Sequence, residues 1–459
     1  MSNTKSSRKQ RQFLAARDGL VLASVFVFTF AIHAMSPVTT STDSAWTFHL
    51  AASIVREQDL DLDEYRELMD LDVDYRLRTI GGHVYYYYPA ATPLLAVPAV
   101  IVINAVFGLT GRTDFFSYLD SHPPDDRTAR FEKLVASLIV ALATVGTYLI
   151  GRQTASTRAA LLAAGVFAFG TSMWSTASRA LWQHGPSVLL LTFAIYLALA
   201  APQRKWTPFW TGLILAFSYL VRPTNSISLA FFGLYYLLNG SRLIWRYALG
   251  ALLVFVPYAA LNVHTYANVF PPYSYQLLER LATPGQFTEA LAGTLISPNR
   301  GLFIFSPVLL FAIYGARASA TKNGISKSNL NLYFMAIFVC HWITVSLFED
   351  WGGAWSIGPR YFVDVLPYLA YFLPPVIDGL PMRPPVWRYL WLTAALLSVL
   401  VQWHASVSIY PFMWNGKPRA LVDAPERKWD WGDLQLLRGF CQGDRLEGRA
   451  PACWMERIE

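Results

Sequence analysis

Charge is scarce in this chain: only 15% of its 459 residues are Asp, Glu, Lys or Arg, against 54% hydrophobic and 15% aromatic. That is too little charge to coat a soluble globule of this size, so a soluble domain is excluded. The net charge of +7 comes from Lys and Arg in small groups between apolar runs, not from a patch or stripe that would fit nucleic acid. Phosphate-cradling sequences are missing as well. There is no Gly-Lys-Ser/Thr loop and no Gly-rich βαβ fingerprint, which argues against a nucleotide-driven pump and against a transferase fed by a cytoplasmic nucleotide-sugar. The first apolar run lacks a small-residue cleavage site, so it reads as an uncleaved span and not as a signal peptide. Cysteine is nearly absent too. Of the three, Cys340 falls inside an apolar run, while Cys441 and Cys453 share the tail, where oxidising surroundings would allow a bridge but do not require one.

What is plentiful is apolar sequence. Runs of spanning length lie near 19–36, 132–151, 158–174, 184–201, 207–221, 227–240, 246–263, 302–316, 330–348, 361–380 and 387–410. The expected fold is therefore an all-α polytopic membrane protein of about eleven transmembrane helices. A further run, 89–108, is interrupted by Pro89, Pro93 and Pro98. If it does not cross, Lys5, Arg8, Lys9, Arg11 and Arg17 share the cytoplasmic side with Arg152/Arg158, Arg204/Lys205, Arg242/Arg246, Arg317/Lys322/Lys327 and Arg383/Arg388, satisfying the positive-inside rule at every turn. If it crosses, all the later basic loops move outside. The run thus reads as a helix in the outer interface, the alternative being a kinked twelfth span. The chain divides into a cytoplasmic amino terminus, 1–18, a transmembrane body, 19–410, that includes a long first periplasmic loop at 37–131, and a periplasmic tail, 411–459.

Four groups stand out on the outer side. Thr42-Asp43-Ser44-Ala45-Trp46 opens the first loop, and Gly81 to Pro89 carries the run Tyr85 to Tyr88. The turn Trp174 to Pro186 holds Arg179, Trp182, Gln183 and His184, and a late link runs from Glu349-Asp350-Trp351 through Trp355 to Gly358-Pro359-Arg360. A carboxylate at the mouth of a membrane helix is costly without a task, and Arg360 begins a span on the side where basic residues are scarce. Tyrosines and tryptophans at helix ends are ordinarily belt residues. The acids Asp59, Asp61, Asp63, Asp70, Asp72 and Asp74 read as a solvated face, since the glycine and terminal glutamate of a calcium loop are missing.

These residue types suit one chemistry. Moving a sugar from a lipid phosphate in one inverting displacement needs a carboxylate to take the acceptor proton and cations to stabilise the departing phosphate. Asp43 supplies the base. Arg360, with Arg222, Arg179 or His184, supplies the positive charge, because the guanidinium fork matches phosphate oxygens. Tyr87, Tyr88, Trp182 and Trp355 offer faces for the sugar, and Glu349 and Asp350 offer polar contacts to sugar or acceptor.

On these residues the chain resembles the GT-C superfamily of integral-membrane glycosyltransferases. The first-loop acid Asp43, the Tyr87-Tyr88-Pro89 lead into an interfacial helix, Gly170-Thr171-Ser172-Met173-Trp174 and the stretch from Gly352 to Tyr361 carry the resemblance. The chain looks most like the bacterial members that use a phospholipid carrier, related to protein O-mannosyltransferases and the lipid A aminoarabinose transferase. The resemblance implies a GT-C fold, Asp43 as base, a polyprenyl-phosphate sugar donor, a glycan, lipid or protein acceptor, and the inner membrane of a bacterium as its place. Two departures matter. Ala90 and Ala91 replace the small and Gly positions of the Tyr-Pro-Pro-Gly type motif, and Ser44 stands where the mannosyltransferases carry a second acid. Oligosaccharyltransferase subunits, also related, hold a divalent metal with acids from several outer loops. Asp43 with Glu349 or Asp350 could mimic that arrangement, but the second outer turn has no acid, so a divalent metal is possible and not favoured, and neither another cofactor nor a nucleic-acid partner is expected.

Other readings were a lipid-linked oligosaccharide ligase or polymerase, expected to carry its large loop late in the chain, and a sugar-lipid flippase, expected to line a path through the membrane with basic residues. A scaffold built on the tail's Trp414, Trp429, Trp431 and Trp454 is a third.

Overall fold

The computed structural model describes residues 2–111, 114–200, 204–274, 281–323, 326 and 329–440. Cys441, Cys453 and Trp454 lie outside them. Each of the eleven apolar runs is largely helical. Helix α1 is Ser2–Met35, and after the first loop come α5 (Asp126–Gly151), α6 (Thr157–Phe169), α7 (His184–Ala200), α8 (Thr207–Val221), α9 (Ser226–Asn239) and α10 (Ser241–Tyr266). Beyond α11 (Pro284–Ile296) follow α12 (Leu310–Asn323), α13 (Leu330–Ser346), a pair bent by 44° spanning Arg360–Tyr371 and Leu373–Met382, and α14 (Pro385–Val407). By length and composition alone, five described helices, or six with the bent pair, reach a full membrane span. The remaining apolar helices are shorter and need their polar flanks to complete a crossing. Leucines and valines along α10 and α14, among them Leu252, Leu253, Val256, Leu396 and Leu400, point outward, as expected where the surrounding solvent is lipid.

The local signals that start these helices are visible. Asp125 accepts from the backbone of Thr128 while the Thr128 hydroxyl answers to the Asp125 backbone, a complete capping box at α5. Ser156 caps α6 and is itself bound by Asp378 through both its N–H and its hydroxyl, at 2.7 and 2.5 Å. This contact marks one end of the bundle. At the other end meet Asp43, the start of α7, the end of α8 and Arg360.

The first loop is a small domain at that second end, built from α2 (Thr47–Arg56), the hairpin β1 (Leu77–Ile80) and β2 (His83–Tyr86), α3 (Ala91–Leu109) and α4 (Phe115–Ser121). The hairpin pairs Ile80 with His83 across Gly81 and Gly82, both at positive φ, the backbone that two-residue hairpin turns demand. Helix α3 is about 28 Å long and apolar enough to cross a membrane. Its start clusters with Leu220 and Val221 at the end of α8, and its Phe107 packs on Phe131 at the start of α5. Because α5 to α8 alternate in direction, those two places lie at the same end of the bundle. Both ends of α3 are therefore on the Asp43 side of the bundle.

The turn from Trp174 to Pro186 is not an open outer loop: Arg179, Trp182, Gln183 and His184 are all buried, because a π-helical segment, Met173–Ala177, folds back between α6 and α7. The tail is not a free appendage either. Asn415 Nδ2 and Gln435 Nε2 both donate to Ser356 O at 2.9 Å, and Gln435 Oε1 accepts from Gly358 N at 3.0 Å and from Arg300 at 2.7 Å. Residues 411–440 thus brace the link that ends in Arg360.

Candidate active site

Asp43 sits on the short link between α1 and α2, and the hairpin fixes it there. Arg76 donates to Thr42 O at 3.1 Å while its own Nε is held by Asp74 at 2.6 Å, and the Tyr86 hydroxyl donates to the Asp43 carbonyl. Asp74 also accepts from Trp46 Nε1 at 2.8 Å, so this acid belongs to the scaffold and not to a solvated face. From the bundle side, the buried Glu132 accepts from Ser44 Oγ at 2.5 Å, Ser41 Oγ at 2.8 Å and Leu181 N at 3.3 Å. One carboxylate thereby ties the Asp43 link to the segment that carries Trp182 and His184.

The Asp43 carboxylate pairs with Arg360 through Nη2 and accepts from Tyr75 OH at 3.0 Å. Burial alone would raise its pKa, but the Arg360 charge and the hydrogen bonds from Arg360, Tyr75 and Tyr88 outweigh that and hold it below the ordinary carboxylate range. Arg360 is gripped on two further sides. Its guanidinium lies 4.3 Å from the Trp182 ring centroid, and its Nε donates to His184 Nε2 at 3.3 Å. That bond assigns His184 the neutral form with its proton on Nδ1, facing Asp364 Oδ2 at 3.4 Å. Asp364 Oδ2 in turn meets Arg222 Nε at 2.5 Å. Two carboxylates, two arginines and a histidine from four separate segments, Arg360 and Asp364 sharing one, form one charge-balanced chain at the mouth of the bundle. Between Asp43, Tyr88, Trp182, His184, Arg222 and Arg360 lies a cavity of about 10 Å³, room for about one water.

The backbone around Arg360 is specialised. Gly353, Ala354 and Gly358 all have positive φ. A side chain at Gly358 would strike the Phe305 ring at 2.6 Å, so the link turns into the span in close contact with its neighbour.

Of the expected site residues, the fold gathers Asp43, Tyr88, Trp182, His184, Arg222 and Arg360. Tyr87 is one layer away, with its ring 4.5 Å from the Arg78 guanidinium and 5.5 Å from Tyr273. Arg179 lies apart: it donates to the carbonyls of His33, Ser36 and Val38 and to Ser178 Oγ, closing the carboxyl end of α1, where cations are favoured. Asp350 caps its own turn through Gly352 N at 3.2 Å and Ala354 N at 2.6 Å, Glu349 is exposed, and Trp355 packs on Phe412 and Gly416. Asp364, Glu132, Tyr75 and Tyr86 were not anticipated. Asp364 had a signal, being an acid inside an apolar run.

A metal would need free ligands. Asp43 already has Arg360 and Tyr75, and neither Glu349 nor Asp350 is among the groups around it. Among the described residues, one group brings three metal-ligating atoms together, Asp61, Asp63 and His83 in the hairpin domain. His83 Nδ1 is 2.7 Å from Asp63 and 3.6 Å from Asp61, and Asp43 is not part of it.

Beside the small cavity runs a larger one of about 390 Å³ between the hairpin, α3, α8 and α10. It shares Tyr86, Tyr88 and Pro89 with the Asp43 cavity and is otherwise walled mainly by apolar groups such as Leu94, Phe217, Leu220, Leu253 and Pro257.

No protein-family model matches the chain, and no curated protein matches it in sequence. Two solved structures of the Archaeoglobus fulgidus oligosaccharyltransferase overlap with it. The complex with Zn and sulfate does so with a TM-score of 0.49 and 13% identity over 89% of this chain and 57% of that one. The form tethered by a disulfide to an acceptor peptide containing the NVT sequon gives 0.47 and 15%, over 89% and 58%. The chain spans less than two thirds of that enzyme's length. With both overlaps below one half, function is read from the site itself.

Proposed function

We propose that this chain is an inverting glycosyltransferase of the GT-C type that moves a sugar from a polyprenyl-phosphate donor to an acceptor at the outer face of a bacterial inner membrane. The observation that carries this reading is the pairing of Asp43 with Arg360, 317 positions apart, at a mouth that opens on the apolar groove of about 390 Å³. The groove suits a lipid tail, the guanidinium suits its phosphate, and the Trp182 and Tyr88 rings suit a sugar between them. Asp43 takes the proton of the attacking acceptor hydroxyl. Arg360 balances the charge on the phosphate as the bond to the sugar carbon breaks. His184 orients Arg360 by accepting from its Nε, and Arg222, paired with Asp364, lies behind them. Arg179 has no part in phosphate binding, because its donors are used on the carboxyl end of α1. The reading is metal-free, supported by a lining of the Asp43 cavity that includes neither Glu349 nor Asp350. The basic loops at the end opposite Asp43 support a cytoplasmic amino terminus.

The test incubates purified protein with a panel of polyprenyl-phosphate and polyprenyl-diphosphate sugars and follows donor loss by mass spectrometry. Consumption of a monophosphate sugar is the expected result. Consumption of diphosphate donors alone assigns the chain to the ligases, and consumption of none removes the transferase reading.

A further inference from the structure

The site as it stands has no room for the phosphate it is argued to bind. The cavity bounded by Asp43, Arg222 and Arg360 is about 10 Å³, space for about one water, and both arginines already have a carboxylate partner. The two pairs differ. Arg222 and Asp364 are both buried, whereas Arg360 and Asp43 are each partly open to the mouth. Arg360 also has two supports that do not depend on Asp43, the Trp182 ring under its face and the His184 nitrogen at its Nε. Taking Asp43 away would leave the guanidinium oriented, with its outer edge toward the mouth.

We infer, on the basis of the transferase reading, that Asp43 is a resident competitor for Arg360: the donor phosphate binds by displacing the Asp43 carboxylate from the guanidinium, and the released carboxylate becomes the base. Only the Arg360 partner changes hands. Asp43 keeps Tyr75 and Tyr88 beside it, and Tyr86 holds its backbone, so it stays within reach of the reacting hydroxyl. Losing the cation makes the carboxylate more basic, and the site gains its base when the donor arrives. In the transfer step, the acceptor oxygen forms its bond to the sugar carbon and its proton passes to Asp43. The carbon–oxygen bond to phosphate breaks, and its electron pair leaves with the polyprenyl phosphate, whose added charge rests on Arg360. The charged and titratable groups around Asp43 among the described residues include Arg360, Tyr75, Tyr86, Tyr88 and Tyr273, with Arg76 and Glu132 one residue to either side.

The experiment measures binding of farnesyl phosphate, with farnesol as the phosphate-free control, to the full-length protein in detergent and to Asp43→Asn, Arg360→Gln and the double variant, each first checked for an intact melting transition. If the native pair keeps Arg360 occupied nine-tenths of the time, removing the competitor tightens binding about tenfold. The expected result is that gain in Asp43→Asn and no such gain when Arg360 is already Gln. An equal gain in both backgrounds means simple charge repulsion and overturns the exchange. So does unchanged or weaker binding in Asp43→Asn, while wild-type binding that needs Arg360 leaves the transferase reading intact. No phosphate-dependent binding by wild type or Asp43→Asn overturns both. Should Arg360→Gln not fold, Arg360→Met, which fills the same space without charge, takes its place in the cycle.

Discussion

Replacing Asp364 by Asn tests whether the buried half of the network is held together by charge. Arg222 Nε stands 2.5 Å from Asp364 Oδ2, with the two side chains only 6% and 1% exposed. Among the described residues no other carboxylate pairs with Arg222; the Tyr361 ring lies at 5.9 Å, and His184, His341 and Tyr273 are nearby. Removing one partner of a buried pair leaves the other charge desolvated and uncompensated, at a cost of about 3–5 kcal/mol. Asparagine keeps an acceptor oxygen for Arg222 and His184, so the lower end, about 3 kcal/mol, is expected. Chemical denaturation of the purified protein measures it, alongside Arg222→Gln and the double variant. The double should be less destabilised than the sum of the singles by about 2 kcal/mol, since neither charge is then stranded. Additive losses, or an Asp364→Asn protein within about 0.5 kcal/mol of wild type, would refute the view that this pair is a desolvated unit.

Arg360→Lys keeps the charge but cannot lie on Trp182 while reaching both His184 and Asp43. Transfer efficiency should fall roughly tenfold or more, measured as kcat/KM for the donor. Asp43 is held below its unfolded value of 3.8, so its contribution to stability is present above that pH and fades as pH falls through the lower folded value. Melting temperatures of wild type and Asp43→Asn should therefore differ by a constant amount at neutral pH and converge in strong acid. Ala354 has φ of 50°, a left-handed conformation that costs a non-glycine residue about 1 kcal/mol. Ala354→Gly should raise thermal stability by about that much, read as an upward shift of the melting transition.

The spans were legible because run length and the sidedness of basic residues are local quantities that a bilayer reads directly. The same patterns placed Asp43 and Arg360 at helix ends, and the fold brings those ends together. Pairing them across 317 positions was beyond any periodicity, and only the chemistry of the reaction linked them. Glu132 escaped notice because a lone acid beside Lys133 at a helix start resembles ordinary capping, and its role depends on Ser41, Ser44 and Leu181 arriving from elsewhere. For Arg179 the sequence signal is ambiguous: an arginine near a helix-end turn reads the same whether it faces a ligand or, as its donors to His33 and Ser36 show, closes a helix end. The hairpin of the first loop had its cue in Gly81-Gly82, but four-residue strands are too short to stand out beside long apolar runs. The tail's hold on Ser356 and Gly358 rests on Asn415 and Gln435, polar residues with no local pattern to single them out.

The central claim is that Asp43 is the base, and Asp43→Asn tests it most directly. The substitution keeps size and the hydrogen bond from Tyr75 while removing the function, and a positioned base is worth roughly 10²–10⁴ in rate. The measurement is transfer rate per folded molecule with a polyprenyl-phosphate sugar that the wild-type protein consumes, with donor affinity followed in parallel. The account predicts a loss within that range together with retained or tighter donor binding. Near-normal turnover per folded molecule would contradict it.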